Sequence, residues 1–84
     1  MKGGPVKRSV MIAGHATSIS LEPAFWDALQ DAAVAERLPL NALVARIDAE
    51  RIGASDPPNL ASAIRVWLFE RARGLSAAAD GGAD

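Results

Sequence analysis

The 84-residue chain contains no cysteine and a single histidine. Without cysteine it can form no disulfide bond and offers no thiolate ligand to a metal, and one histidine cannot build a zinc site of the usual kind. A domain this small buries a modest share of its surface, so disulfides, metals or oligomerisation commonly support it. Of these three aids, oligomerisation is the one that remains.

Long apolar runs are also missing, although half of the residues are hydrophobic. No stretch approaches the roughly 20 apolar residues that cross a bilayer. The basic start MKGGPVKRS is followed by VMIAG, which is too short for the apolar part of a signal peptide. The sequence therefore predicts a cytoplasmic protein with no membrane contact.

Acidic residues are absent from the first part of the chain. Before Glu22 the charged residues are Lys2, Lys7 and Arg8, whereas the remainder holds six arginines and ten acids. The net charge of −1 argues against bulk attraction to nucleic acid. A basic N-terminal end on an acidic body favours a local contact with an anion about as much as it favours an ordinary solvated tail.

No arrangement of residues in the sequence indicates catalysis. His15 has no serine and aspartate, and no cysteine, placed to work with it, and a lone histidine is a weak enzymatic signal. No glycine-rich phosphate loop follows a strand. We therefore expect a protein that is not an enzyme and that holds no cofactor and no metal.

The segment ATSISL, residues 16–21, alternates in the manner of a β-strand. Its apolar or β-branched face is formed by Thr17, Ile19 and Leu21. Its small and polar face is formed by Ala16, Ser18 and Ser20. Residues 8–13 can form a further short strand, because Val10 and Ile12 share one face, although Gly14-His15 then breaks the pattern.

Two amphipathic helices are predicted after this strand. The first begins at Pro23, since proline in the first helical turn lacks only an N–H that has no partner there, and it runs to Glu36 or Arg37. The second covers about residues 40–52 and ends at Gly53, a residue type favoured at helix C-termini.

The two tryptophans, Trp26 and Trp67, are expected in core or interface positions rather than as platforms for a ligand. The apolar stripe of the first helix runs through Phe25 and Leu29, with Trp26 beside it. Trp67 belongs to the stripe of a third helix.

This third helix should follow the linker ASDPPN. Either Asn59 or Asp56 can cap its N-terminus, and its apolar stripe ends near Arg73. The residues after it are rich in alanine, glycine and aspartate, which is typical of disorder. The chain is thus divided into a flexible arm of residues 1–6, a domain of residues 7–73 and a disordered tail of residues 74–84.

The strand at residues 16–21 has no evident partner after it, because Glu22-Pro23 leads directly into the first helix and is too short for a hairpin loop. A lone strand leaves its backbone donors and acceptors unsatisfied. Pairing with the same strand of a second chain would give, by two-fold symmetry, an antiparallel ribbon. Its apolar face would cover the helices, and its polar face could enter a DNA major groove, which admits a two-stranded ribbon.

The stretches TSISLEPAFWDAL and RLPLNALVARI resemble the ribbon-helix-helix family of Arc- and MetJ-like DNA-binding proteins. Residues 7–73 look more narrowly like a bacterial subfamily with a third helix, and GHATSISLEPAFW is the more specific part. The resemblance implies a mainly α homodimer with one short N-terminal β-strand per chain, an intermolecular antiparallel ribbon and an additional third helix.

The resemblance also implies a function, which is sequence-specific binding of double-stranded DNA by a transcriptional repressor. The implied base-facing residues are Ala16, Ser18 and Ser20. The residues expected near phosphate are Leu40 and Asn41 at the start of the second helix, a position that suits an anion, and Lys7 and Arg8 before the ribbon. The implied dimer core consists of Thr17, Ile19 and Leu21.

A protein-interaction module is the alternative. Some ribbon-helix-helix proteins are antitoxins that bind a toxin through a C-terminal segment. Residues 59–73, in which Trp67 and Phe69 point in different directions, can form such a partner-binding surface, although a core role for this helix is favoured by its single apolar stripe.

Overall fold

Two strands and three helices follow one another in the computed structural model, which describes residues 4–56 and 58–81. The elements are β1 (Val6–Ile12), β2 (His15–Leu21), α1 (Pro23–Glu36), α2 (Leu40–Ile52) and α3 (Leu60–Gly81). The mainly α content and the third helix are as predicted, but the chain has two strands instead of one.

Strand β2 pairs with the segment directly before it. β1 and β2 form an antiparallel hairpin in which Ser9 lies opposite Ser18 at the centre. The two-residue turn Ala13-Gly14 has φ values of 50° and 82°, and positive φ at both central residues is the requirement of a type I′ turn. The prediction of a lone strand is therefore wrong. Gly14 was expected to break the strand pattern, but it closes the turn of a hairpin.

One apolar core joins the hairpin to the helices. Its buried side chains are Val10, Ile12, Ile19, Leu21, Trp26, Leu29, Ala32, Ala33, Leu43, Val44, Ile47, Ile64 and Leu68. Of the residues predicted for a dimer core, Ile19 and Leu21 are already buried within the single chain, and Thr17 is half-buried. The apolar face of the β1–β2 hairpin thus covers the helices of its own chain.

The ends of α1 and α2 agree with the sequence pattern. Arg37 adopts a left-handed conformation after α1, with φ of 59°, and the Leu38 N–H donates to the Ala33 carbonyl at 2.9 Å. This contact satisfies a carbonyl that the last helical turn leaves free. α2 ends at Ile52 with Gly53 as its C-cap, as predicted.

Helix α3 begins where it was predicted and ends later. The Asn59 Oδ1 accepts a hydrogen bond from the Ser62 N–H at 2.8 Å, so Asn59 and not Asp56 is the N-cap. The helix does not stop near Arg73 but continues to Gly81, contrary to the expectation of disorder from residue 74 onward. One glycine costs a helix only about 1 kcal/mol, and the alanines that follow Gly74 are good helix formers.

At its N-terminal end the chain departs from the predicted division into arm, domain and tail. Val6 belongs to β1 rather than to a flexible arm. Residues 1–3 of that arm and residues 82–84 of the predicted tail lie outside the described residues.

Candidate nucleic-acid interface

The hairpin presents one face away from the helices, which we call the outer face. Its side chains are those of Lys7, Ser9, Met11, Ala16, Ser18 and Ser20. Ser20 is half-buried and the other five are exposed. This arrangement follows from the alternation of a strand, since the residues between them on β1 and β2 include the four that the core buries.

The chemistry of the outer face changes along the hairpin. At its open end Lys7 lies opposite Ser20, in the middle Ser9 lies opposite Ser18, and beside the turn Met11 lies opposite Ala16. The face therefore passes from a cation through hydroxyl groups to an apolar pair. None of its six residues is acidic, which suits a surface that meets a polyanion.

Trp26 of α1 holds the open end of the hairpin in place. Its side chain is only 3% exposed, and its Nε1–H donates to the Val6 carbonyl at 2.8 Å. The Arg8 guanidinium lies over the same ring, 5.1 Å from its centroid. Arg8 therefore lies on the helix-facing side of β1, whereas Lys7 lies on the outer face.

A pair of charged side chains fixes α3 to the junction between β2 and α1. The Arg65 Nη2 and the Glu22 Oε1 are 2.9 Å apart. Two hydrogen bonds lower the pKa of the Glu22 carboxyl below its ordinary value. The larger effect comes from the backbone N–H of Glu22 itself, and the next from the Arg65 side chain. The third helix thus supports the point at which the ribbon leads into the helices.

The start of α2 has the features expected of an anion-binding helix end. Pro39 precedes the helix without a side-chain cap, and the first turn contains no acidic residue. The first helical hydrogen bond is donated by the Ala42 N–H to the Pro39 carbonyl at 3.0 Å, so the N–H groups of Leu40 and Asn41 precede it. Asn41 is exposed and Leu40 is half-buried, and the helix packs against β1.

Ser9 and Met11 belong to the outer face, but the sequence pattern did not place them among the candidate residues. They lie beside Ser18 and Ala16 on the outer face, and Met11 is 53% exposed. A signal for them existed, because the dipeptide Ala13-Gly14 separates two stretches of alternating side chains at the spacing of a two-residue hairpin turn.

A second exposed surface is an apolar groove between α1 and α3, with a volume of about 540 Å³. Its lining is formed by Ala24, Phe25, Ala28, Arg65, Val66, Leu68, Phe69 and Ala72. Phe69, one of these lining residues, is 60% exposed. Trp67, which was expected on the core stripe, is half-buried, with the guanidinium of Arg71 over its ring at 5.7 Å.

A ribbon followed by packed helices defines a class of small domains, and a comparison with known families assigns the chain to one of them. A family model described as Ribbon-helix-helix domain matches residues 5–72. The protein therefore belongs to the ribbon-helix-helix domain family, and the resemblance seen in the sequence is confirmed. Searches of curated proteins and of solved structures give no match.

Membership of this family bears on function at a general level. Proteins with ribbon-helix-helix domains are generally DNA-binding transcription regulators or antitoxins, they are typically not enzymes, and they bind DNA as dimers. Within the described residues, no helix has both the length and the apolar character needed to cross a membrane.

Proposed function

We propose that this protein is a sequence-specific DNA-binding transcriptional repressor that acts as a homodimer. The observation that carries the proposal is the outer face of the hairpin, a two-stranded ribbon with one cation, hydroxyl groups and no acidic side chain. A ribbon of this width can enter the major groove, where the base edges carry a distinct pattern for each base pair. The family of the chain supports the same proposal.

The outer-face residues of β2 would read the base edges. The hydroxyl groups of Ser18 and Ser20 can both donate and accept hydrogen bonds, and the Ala16 methyl can contact an apolar base edge. Lys7, Arg8 and the N–H groups of Leu40 and Asn41 would contact phosphate oxygens. These contacts would set the position of the ribbon on the duplex, while the base contacts would set the sequence.

Substitution of the two serines tests this assignment. Ser18→Ala and Ser20→Ala should each reduce discrimination between specific and random DNA by about 1 kcal/mol or more per lost contact. Salt-sensitive binding to random DNA should survive, because the phosphate contacts remain. The measurement is competition between a duplex selected by the wild-type chain from a random pool and a scrambled duplex.

Ser55 provides the matched control, because it is exposed in the loop between α2 and α3 and lies outside the hairpin. Ser55→Ala should leave both binding and discrimination unchanged. If the two hairpin variants keep the wild-type ratio of specific to random binding, the outer face of β2 does not read bases.

The dimer is tested separately by mass. The family supports a dimer, although the core of a single chain already buries Ile19 and Leu21. Light scattering at micromolar concentration should give twice the chain mass of 8.8 kDa. A folded monomer that also bound its selected duplex with a stoichiometry of one would contradict the homodimer.

A protein-interaction role is the second candidate, and the groove between α1 and α3 favours it. Exposed large apolar side chains such as Val66 and Phe69 line this groove, and contiguous exposed apolar surface is typical of interaction sites. An amphipathic helix of a partner, as in an antitoxin complex, would place its apolar side there. Such a contact should resist salt, whereas DNA binding should weaken steeply with salt.

A further inference from the structure

We propose that the groove between α1 and α3 binds a free medium-chain carboxylic acid, with the alkyl chain in the groove and the carboxylate at Arg65. The groove shares no residue with the outer face of the hairpin. This binding site is therefore additional to the proposed DNA contact, and it can be tested in the absence of DNA.

The lining of the groove suits an alkyl chain. Its volume of about 540 Å³ lies within the range of about 300–1,000 Å³ that is usual for small-molecule sites. α1 and α3 contribute one phenylalanine each, Phe25 and Phe69, while three alanines, Ala24, Ala28 and Ala72, fill little of the space. An occupant that removes this surface from water would be stabilised in proportion to the apolar area that it covers.

Arg65 is the one charged residue among the eight described residues that line the groove. Its guanidinium lies 5.7 Å from the centroid of the Phe25 ring, and its Nε and Nη2 both contact the same oxygen, the Oε1 of Glu22, at 2.9 Å. A guanidinium carries five N–H donors, and within the described part of the chain the Arg65 Nη1 has no hydrogen-bond acceptor. Donors of Arg65 thus remain for a second carboxylate.

Charge and length select the occupant. The guanidinium would attract a carboxylate through charge-assisted hydrogen bonds and would repel a cationic head group. From Arg65 to Ala72, both of which line the groove, α3 rises by about 10 Å, which is comparable to the length of an extended octanoate. An apolar acid of this size therefore fits with its head group at Arg65 and its chain directed along α3.

NMR of the alanine methyl groups locates the ligand. Titration of the wild-type chain with octanoate should shift the methyl signals of Ala24, Ala28 and Ala72 and leave that of Ala49, which is exposed on α2. Affinity should rise from hexanoate to octanoate by up to about fourfold for each added methylene. Octanoate should bind about two- to fivefold more tightly than octanol, and octylammonium should bind more weakly than octanol. Equal affinities along either series would contradict the proposed binding mode.

Two variants that break the same ion pair test the role of Arg65. Arg65→Gln should remove the preference for octanoate over octanol. Glu22→Gln should instead strengthen octanoate binding by about two- to fivefold, because Arg65 then loses its competing carboxylate. Since both variants lose the contact between Arg65 and Glu22, opposite effects on octanoate cannot arise from the loss of that contact. If both variants weaken octanoate binding alike, Arg65 does not hold the head group and the inference fails.

Ala72→Leu tests the groove itself. Leucine is a good helix former and would occupy the space of the ligand, so the affinity for both octanoate and octanol should fall about tenfold. Ala49→Leu is the matched control and should bind both as the wild type does. Wild-type affinity in Ala72→Leu would overturn the inference.

Three further results would assign the groove to another occupant and overturn the inference. A halved mass of Ala72→Leu in light scattering would identify the groove as a contact between copies of this chain. Cosedimentation of the wild-type chain with phosphatidylglycerol vesicles, without any binding of octanoate, would assign it to a membrane surface. Unchanged alanine methyl signals with octanoate, in a chain that does not bind the vesicles, would favour a helix of a protein partner.

Discussion

Lys7 and Arg8 are neighbours in the sequence, but the alternation of β1 gives them different surroundings. Lys7 lies on the outer face opposite Ser20. Arg8 lies on the other side, with its guanidinium 5.1 Å from the centre of the Trp26 ring. Both positive charges are expected near DNA, but only Arg8 also contacts an aromatic ring of the protein. Experiment can separate these two roles.

The first prediction compares Lys7→Ala with Arg8→Ala. Lys7→Ala should flatten the slope of log K against log salt by about one unit and change the free energy of unfolding by less than about 0.5 kcal/mol. Arg8→Ala should lower the free energy of unfolding by about 0.5–1 kcal/mol, because it removes the cation–π contact. The measurements are fluorescence anisotropy titrations over a series of salt concentrations and urea melts.

Arg8→Lys is the control for this comparison, since it keeps the charge and the capacity to lie over the ring. It should retain the salt slope of the wild type. An unchanged slope for Lys7→Ala would place Lys7 away from phosphate.

At the scale of the elements, two glycines differ in backbone conformation, one in a left-handed turn and one in a right-handed helix. Gly14 has a φ of 82° in the hairpin turn, and a Cβ there would meet no atom within 4 Å. Gly74 lies inside α3, and a Cβ there would also meet nothing within 4 Å. Since neither position has a steric obstacle, alanine at each reports the backbone alone.

The second prediction is that alanine acts in opposite directions at these two positions. Gly14→Ala should lower the free energy of unfolding by about 1–2 kcal/mol, because a left-handed conformation penalises a Cβ. Gly74→Ala should raise helix stability by about 0.5–1 kcal/mol, because glycine is a poor helix former. Urea melts measure the first and the helical signal in circular dichroism measures the second.

Each result is a test of one element. If Gly14→Ala melts as the wild type does, the Ala13-Gly14 turn is not the one described. If Gly74→Ala adds no helical signal, α3 does not continue through this position.

At the scale of the whole molecule, Glu36 connects the three helices. Its Oε2 is 2.9 Å from Nη1 of Arg71 in α3, and its Oε1 is 3.3 Å from Nη2 of Arg46 in α2. Two hydrogen bonds lower the pKa of the Glu36 carboxyl below its ordinary value of 4.5. The bond from Arg71 has the larger effect and the bond from Arg46 the smaller.

The third prediction concerns acid. A carboxyl with a lower pKa in the folded than in the unfolded chain stabilises the fold above the unfolded pKa, and this contribution is lost as the pH falls through the folded pKa. Stability should therefore decline as the pH drops below 4.5. Glu36→Gln should reduce this decline, as measured by urea midpoints at a series of pH values.

Asp31→Asn is the matched control, because it removes one exposed carboxylate of α1 but leaves the contacts of Glu36 with both arginines. It should keep the decline seen in the wild type. A Glu36→Gln variant with the same decline would mean that the link between the helices does not depend on this charge.

The sequence by itself determined the bounds of α1 and α2, the start of α3 and the family, but not the end of α3. The bounds of α1 and α2 followed from the apolar spacing, from Pro23 and from Gly53, and the N-cap at Asn59 was one of two residues proposed. These features rest on interactions between residues a few positions apart, so they can be read along the chain. The outward direction of Ser18 followed from strand alternation for the same reason.

Only the tertiary structure decided how these pieces meet. Strand alternation assigned faces, but it did not show that β2 would take β1 as its partner through a turn with two positive φ values. The spacing of the first helix favoured Phe25 for the core, yet Trp26 is the buried residue, because its indole reaches the Val6 carbonyl twenty positions earlier. Contacts over such separations depend on the three-dimensional path of the chain, which local periodicity does not specify.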